Sequence, residues 1–578
     1  MRRFNLVAGA ILIILTCATS HSAPPLSSHD REVEALLARM TLDERIGQMV
    51  QVDSMALTAK ADVRNYLLGS VLSGGGSDPE HGNTAQDWLS FVNEFQAQAL
   101  QTRLKIPILY GIDAVHGHNN VDGATLFPHN IGLGATHDAK LVARAARVTA
   151  EECVGTGIRW TFAPCVAVPQ NPRWGRTYEG YSDQTALVSS LATASTTGFQ
   201  GKRLSPEPTS VLACAKHFIG DGGTAEGIDQ GNTVCDEAAL RQTFLPPYEA
   251  CVKAGIGSIM VSYNSWNGEK MHAQKHLLTD VLKGELGFRG FLVSDWAAID
   301  QINTNDYQEC IKRSINAGLD MIMIPNGLGK PNNYVDFIHH LKTLVAERKV
   351  GQSRIDDAVR RILRAKFAMG LFEHTAINPK WTAAIGSAEH RAVARECVRK
   401  SLVLLKNKNL LPLSKNIKRL AVVGVAADDL GMQCGGWTID WQGGHGCITR
   451  GGTTLLAAVK RTVSAAAEVT FSPDASHLNN PDAVIVVVGE APYAEMKGDR
   501  EHLGLPAGDL ALIAKAKASG APVLTILYSG RPLPLGSALA DSAAFVAAWL
   551  PGSEGSGITD VLFGDYRFTG KLPCSWKR

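Results

Sequence analysis

From about Ser70 to Pro325 one theme recurs along the chain. A short, continuous apolar run rich in β-branched residues ends in Gly or a polar residue and gives way to a longer segment with helical spacing. The runs are SVLSGGG, IPILYGID, WTFAPCVAV, LACAKHFIG, SIMVSYNS, GFLVSD and DMIMIP. Continuous rather than alternating apolar character marks strands covered on both faces, as parallel strands in α/β proteins are. Seven such units, separated by helical stretches such as Leu141 to Val154 and Asp236 to Ala254, predict an α/β fold of the (β/α) TIM-like barrel type. No eighth run stands out, so the barrel is expected to be irregular.

Arg354 to Met369 reads as an amphipathic, Arg-rich helix, and GLFEHTAINP after it carries the Gly and Pro of a helix stop. Another helix is expected around Glu389 to Leu405. Beyond it come new strand runs, LAVVGVAAD, EVTFSP, DAVIVVVGE, PVLTILYSG and AAFVAAWLPGS, alternating with helices such as Leu510 to Ala518. That alternation describes an open α/β sheet with helices on its faces. The division expected is a barrel over 24–375, a linker over 376–390 and a second α/β domain over 391–578. At 578 residues, two domains agree with the size at which single cores stop growing. The chain stops at KLPCSWKR, and no further carbohydrate-binding module is expected.

The first residues add a compartment. MRRF, an apolar run from Leu6 to Leu15 and the small and polar residues CATSHSA have the layout of a secretory signal over 1–23, so export to a periplasmic or extracellular space is expected. The run is too short to span a bilayer. Thr16 before Cys17 argues against a lipoprotein site. Lys plus Arg number 57 against 55 Asp plus Glu with no long like-charged run, which removes the electrostatic footprint of a nucleic-acid binder and points to a small or uncharged partner. The 11 Cys show no CxxC pair and no metal-ligand spacing. Most read as small buried apolar residues; Cys434 and Cys447 would close a short Gly-rich loop if they paired. Neither a metal nor an organic cofactor is expected, and the oligomeric state is left open.

In a parallel barrel, functional side chains stand just past the carboxyl ends of the strands. That rule gathers Asp113 after ILYGI, Lys216 and His217 after LACA, Tyr263 after SIMVS and Asp295 after FLVS on one rim, with Trp296 beside them as an apolar platform. A single Asp after a strand commonly caps a helix; here the convergence of Lys, His, Tyr, Trp and two Asp favours a site. A second carboxylate, Glu490, ends DAVIVVVGE in the same way. Two carboxylates flanking a scissile bond are what glycoside hydrolysis requires, and Trp296 and Trp437 offer faces on which a sugar ring can lie.

Taken together, YGIDAVHGHNN, NPRWGR, KHFIGDGGT, VSYNSWNG, FLVSDW, CGGWTI, VGEAPYAEMKGDR and AAWLPGSEG closely resemble the glycoside hydrolases of family 3, especially exo-acting β-glucan glucohydrolases, from about Arg31 to Trp576. The resemblance implies a barrel followed by an α/β sandwich domain, with the active site between them. It makes Asp295 of SDW the nucleophile and places the acid/base in the second domain. There Glu490 of VGE matches best, and Glu495 is the second candidate. It also implies sugar contacts from Asp113, Arg176, Lys216, His217, Met260, Tyr263, Trp296 and Trp437. The activity implied is that of a secreted, retaining exo-β-glucosidase acting on β-glucans or their oligosaccharides.

The chain departs from the plant-like pattern at Ala297 and Gln301 after SDW and at Gln230 after GDGGT, which bears on linkage preference. A β-N-acetylglucosaminidase of the same family would carry KHFPGHG, with a His as acid/base, where this chain has KHFIGDGGT and Asp221. A β-xylosidase differs in pocket shape rather than motif. A non-catalytic carbohydrate-binding protein would have no use for the two carboxylates. Schiff-base chemistry at Lys216 is a further alternative.

Overall fold

The structure, a computed structural model, describes residues 26–373 and 378–576; the expected signal segment and Cys17 lie outside them. The first domain is an eight-stranded parallel barrel: β1 Val50–Asp53, β2 Ser70–Ser73, β3 Leu109–Ile112, β4 Trp160–Thr161, β5 Cys214–Phe218, β6 Ser258–Val261, β7 Phe291–Val293 and β8 Ile322–Ile324. The ladders run β8-β1-β2-β3-β4 and β7-β6-β5. Parallel bridges from Trp160 to Leu212 and from Val293 to Met321 close them into a ring.

The expected irregularity is therefore corrected: the eighth strand is β1, at the start. Its sequence, VQVD, hides the signal because Gln51 and Asp53 interrupt the apolar run, yet all four residues are buried. Inside the barrel Gln51 Nε2 donates to Ser70 Oγ at 2.8 Å, and Asp53 Oδ2 accepts from Ser77 Oγ at 2.7 Å. Hydrogen-bonded polar atoms cost little when buried, which lets Asp53 and the Gln51 amide nitrogen sit in the strand, although Gln51 Oε1 is left without a partner. The stretch Asp236 to Ala254 forms two helices, Glu237–Thr243 and Leu245–Lys253, with Pro at the start of the second.

The second domain carries a six-stranded sheet: β9 Val403–Asn407, β10 Arg419–Val423, β11 Glu468–Ser472, β12 Ala483–Gly489, β13 Val523–Tyr528 and β14 Ala544–Trp549. Its order is β9-β14-β13-β12-β10-β11, with only β9 antiparallel to its neighbour. Alternate residues of the central strands feed two cores. Val484, Val486 and Phe545 pack with Ile513 of the helix Ala507–Ala518; Ile485, Val487 and Val546 pack with Leu455, Val459 and Ile558 on the other face. Strand β9 was hidden in the helix expected to reach Leu405. That helix is Ala388–Ser401, and the apolar residues after it turn into an edge strand with a bulge between Leu404 and Lys406.

Residues 378–390 are not an extended tether. They include the helix Pro379–Ala384, and Thr382 Oγ1 donates to the Gly155 carbonyl of a barrel helix at 2.7 Å. The domains are also joined where the site lies: Ile439 N donates to Asn119 O at 2.8 Å, Tyr178 Oη to Tyr493 O at 2.6 Å, and Arg500 N to Arg173 O at 3.0 Å. Among the described residues the cysteines are all free, eight of them buried, and Cys434 and Cys447 are unbonded. No described helix is long and apolar enough to cross a membrane.

Candidate active site

The carboxyl ends of β3, β5, β6 and β7 deliver their side chains to one place. Asp295, two residues past β7, accepts at Oδ1 from the N–H of Trp296 at 2.7 Å. Its Oδ2 is buried without a hydrogen-bond partner and lies 3.7 Å from His217 Nε2. Burial pushes the Asp295 carboxyl up to about 6, while the positive charges of Arg176 and Lys216 pull it back down. An anionic oxygen with no proton donor of its own is what attack on an electrophilic carbon needs.

Lys216 and His217 leave β5 where its pairing with β6 shifts register between Ala215 and Phe218. Lys216 Nζ lies 2.7 Å from Asp113 Oδ1 and 5.7 Å from the Trp437 ring centroid. Burial lowers the proton affinity of Lys216, but the carboxylates of Asp113 and Glu179 outweigh it and hold the group above its ordinary value. It is therefore a fixed cation rather than a free amine. His217 Nε2 lies 3.1 Å from Arg176 Nη2, which can only donate, so Nδ1 carries the hydrogen and donates to Asp221 Oδ2 at 2.9 Å. Burial, reinforced by Arg176 and Lys216, holds His217 neutral. Asp221 thus fixes the His217 ring.

Arg176 occupies the centre. Its Nε and Nη2 donate to the two oxygens of Glu179 at 2.8 and 2.9 Å, and its Nη1 donates to Glu495 Oε1 at 2.9 Å. Glu495 comes from the second domain, on a left-handed backbone with φ of 53°, and its carbonyl packs where a Cβ on Gly175 would stand 2.0 Å away. The glycine of NPRWGR is therefore required for the two loops to meet. Burial pushes Glu495 up to about 8; Arg176 opposes this, and the negative charges of Asp229 and Asp295 add to it.

Glu490 is placed differently. Its Oε2 accepts from Tyr493 Oη at 2.9 Å and Gly530 N at 3.0 Å, and its Oε1 lies 3.2 Å from Arg531 Nε. Arg531, fully buried, also donates to the carbonyls of Pro172 and Gly498. Both Glu490 oxygens are thus engaged in supporting the loop that carries Glu495. The motif match ranks Glu490 first and Glu495 second; the strand-end rule finds the loop, and it is Glu495, five residues further on, that reaches Arg176.

The remaining candidates divide. Tyr263 lines the pocket with Arg176, His217 and Asp295, whereas Met260 is buried within β6 opposite Val293. Trp296 is 38% exposed and lies over Gly74, where an added Cβ would come within 2.6 Å of its ring. Trp437 is buried, with Nε1 directed to Glu179 Oε1 at 3.3 Å, so it braces the site. The half-buried Trp441, four residues on, has its backbone and Cβ against Gly75, next to the Gly74 that Trp296 covers, and is the less enclosed of the two tryptophans of this loop. Sequence reasoning passed over Trp441, Glu179 and Asp229. The first two had a signal in their spacing, four residues from Trp437 and three from Arg176.

Comparison with known proteins identifies the family of the chain. The family model described as the glycosyl hydrolase family 3 N terminal domain matches residues 41–365, and that of the family 3 C-terminal domain matches residues 402–578. The chain is 34% identical to the lysosomal beta glucosidase of Dictyostelium discoideum, over 95% of this chain and 72% of that protein. It is 31% identical to the periplasmic beta-glucosidase of Salmonella typhimurium, over 97% of this chain and 75% of that one. Among solved structures, the exo-1,3/1,4-beta-glucanase ExoP of a Pseudoalteromonas species superposes with a TM-score of 0.90 at 42% identity, covering 96% of this chain and 72% of that one. With both domains matched and relatives aligned along nearly its whole length, this chain belongs to glycoside hydrolase family 3.

Proposed function

We propose that this protein is a retaining exo-β-glucosidase that removes glucose from the non-reducing ends of β-glucans and β-gluco-oligosaccharides, with Asp295 as nucleophile and Glu495 as acid/base. The observation that carries this reading is the pairing of environments. Asp295 presents a free oxygen near two cations, while burial and neighbouring carboxylates favour a proton on Glu495. Two carboxyl groups whose surroundings push them apart are the mark of a nucleophile and an acid.

In the first step Asp295 Oδ2 attacks the anomeric carbon as Glu495 gives its proton to the departing glycosidic oxygen. A covalent glycosyl ester forms and the aglycone leaves. Glu495, now a carboxylate, then takes a proton from water, which attacks the same carbon and releases Asp295. Two inversions give net retention. Asp113 accepts sugar hydroxyls, Lys216 and Arg176 donate to them, and Trp296 and Trp441 flank the entrance for the leaving sugar. The charged N-terminal residues and apolar run support export.

The test is a proton NMR time course on laminaribiose and cellobiose. Early β-glucose is expected. Early α-glucose would refute Asp295 as nucleophile, and hydrolysis of xylosides or N-acetylglucosaminides alone would refute the substrate class. Mass spectrometry after treatment with a 2-deoxy-2-fluoro-β-glucoside should find the label on Asp295.

A further inference from the structure

Beside Arg176 stands a carboxylate that the two-step chemistry does not use. Asp229 lies in the loop after β5 and lines the same pocket as Arg176, His217, Tyr263 and Asp295. Trp174 Nε1 donates to its Oδ1 at 2.9 Å, while its Oδ2 is buried with no hydrogen-bond partner. A carboxylate left half satisfied in a low-dielectric site is costly and exerts a field that water does not screen.

Its position is fixed from the second domain. Asp499, four residues beyond Glu495, accepts from Asp229 N at Oδ2 and from Gly175 N at Oδ1, both at 2.8 Å. The loop that carries Glu495 therefore also holds Asp229 and the segment leading to Arg176. Gly227 lets the Asp229 loop close on that segment, since a Cβ there would meet Trp174 N at 2.8 Å.

We propose that Asp229 is a positioning residue for the reaction: its fixed, half-satisfied carboxylate, held between Trp174 and the Asp499 loop, adds its negative charge to the burial that keeps the proton on Glu495. This rests on the reading of Glu495 as the acid/base. The groups acting on Glu495 are Arg176, which favours its ionised form, and Asp229, Asp295 and Glu179, which oppose it. Burial pushes the Asp229 carboxyl itself up, Arg176 and the Trp174 hydrogen bond bring it back toward ionisation, and Asp499 and Glu179 face it as anions; its charge also reaches Asp221 and Tyr263. The Lys270 ammonium is engaged by the Tyr263 carbonyl at 2.9 Å. Glu179 is paired with Arg176 through Nε and Nη2, and Asp295 must be ionised to react, which leaves Asp229 as the remaining anion through which the acid can be tuned.

The sign follows directly. An anion near Glu495 raises its proton affinity, so removing that charge lowers it. Activity on a substrate that needs protonation is lost as Glu495 ionises, and the alkaline limb of kcat/KM follows it downward. Asp229→Asn keeps an oxygen for Trp174 Nε1 and removes the charge; Asp229→Ser is the second neutral variant should Asn disturb folding.

The experiment is the pH dependence of kcat/KM on phenyl β-glucoside, which needs an acid, and on 2,4-dinitrophenyl β-glucoside, which does not, with folding checked by near-UV circular dichroism. The alkaline limb on the phenyl glucoside should fall by about one pH unit in either neutral variant, a loss of roughly tenfold on the alkaline side. The acid limb should stay in place, and Asp229→Glu should restore the alkaline limb. An unshifted alkaline limb with a raised KM would make Asp229 a substrate contact and overturn the proposal. Glu495→Gln is the control that separates the two readings. If it abolishes the alkaline limb while Asp229→Asn leaves that limb unmoved, the tuning role fails alone; if the limb survives Glu495→Gln, the acid assignment fails and the proposal with it.

Discussion

Arg176 of the barrel donates from Nη1 to Glu495 of the second domain at 2.9 Å, while its other two nitrogens hold Glu179. One guanidinium thereby sets the place of the proposed acid relative to the barrel that carries the proposed nucleophile. Arg176→Ala should lower kcat by at least about 100-fold, since a misplaced catalytic group is costly. It should also destabilise the fold by about 3 kcal/mol, because Glu179 would be left buried and unpaired. Steady-state kinetics and thermal unfolding check the two effects separately.

The pH profile should be a bell bounded by two carboxyl groups. As the proposed nucleophile Asp295 has to be ionised, so activity should be lost as pH falls through about 6. As the proposed acid Glu495 has to be protonated, so activity should be lost as pH rises through about 8. The maximum is therefore expected near neutrality, measured as kcat/KM on an aryl glucoside with a poor leaving group. With a 2,4-dinitrophenyl leaving group the alkaline limb of glycosylation should weaken or vanish.

Substitution at the two glutamates should separate chemistry from support. Glu495→Gln should cut kcat/KM on the poor leaving group by about 100- to 10,000-fold, with azide restoring turnover of the good one by capturing the ester. Glu490→Gln should keep most of the activity but lower stability by about 1–3 kcal/mol, because Arg531 would lose its charged partner in a fully buried setting. A Glu490→Gln enzyme with the larger catalytic loss would reverse the assignment.

The sequence makes legible what depends on local pattern. Seven barrel strands show as continuous apolar runs, and Asp113, Lys216, His217, Tyr263 and Asp295 follow from the rule of strand ends. It hides β1, whose polar residues find Ser70 and Ser77 as partners for Gln51 Nε2 and Asp53 Oδ2 across the barrel interior, a tertiary fact. It hides β9 for the converse reason: apolar residues continuing a helix carry no mark of the edge strand they join. The motif match puts Glu490 ahead of Glu495 because nothing in the motif shows that the loop turns through a left-handed residue at Glu495 and drops that side chain onto Arg176. Trp437 and Trp441 likewise differ only in burial.

The entrance should depend on Trp296 and Trp441, which flank the loop of Gly74 and Gly75. Trp441→Ala should raise KM for laminaribiose by about tenfold and leave kcat for an aryl glucoside within a factor of a few, as expected for binding shared by ground and transition states. Gly74→Ala should displace the Trp296 ring, since the new methyl would otherwise lie 2.6 Å from it. It should therefore affect oligosaccharides more than monosaccharide glycosides. A series of KM values against chain length checks both.

At the opposite end of the barrel, Lys366 from the helix Gln352–Ala368 is fully buried and donates to Gln48 Oε1 at 2.7 Å and to the carbonyls of Gly69 and Pro107 at 2.8 Å. Those carbonyls precede β2 and β3, so the ammonium ties the amino ends of the strands to the last barrel helix. Lys366→Met keeps the length and apolar stem but removes all three donors. The Gly69 carbonyl keeps the N–H of Leu109, but Gln48 Oε1 and the Pro107 carbonyl lose their donor. Buried acceptors left without partners cost about 1–3 kcal/mol each before local rearrangement, so the variant should unfold more easily than the parent by about 2 kcal/mol or more. Its kcat should remain within a factor of a few, because the affected end lies away from Asp295. Chemical denaturation read beside steady-state kinetics checks this, and a large loss of kcat in a folded Lys366→Met enzyme would show that the two ends of the barrel are coupled.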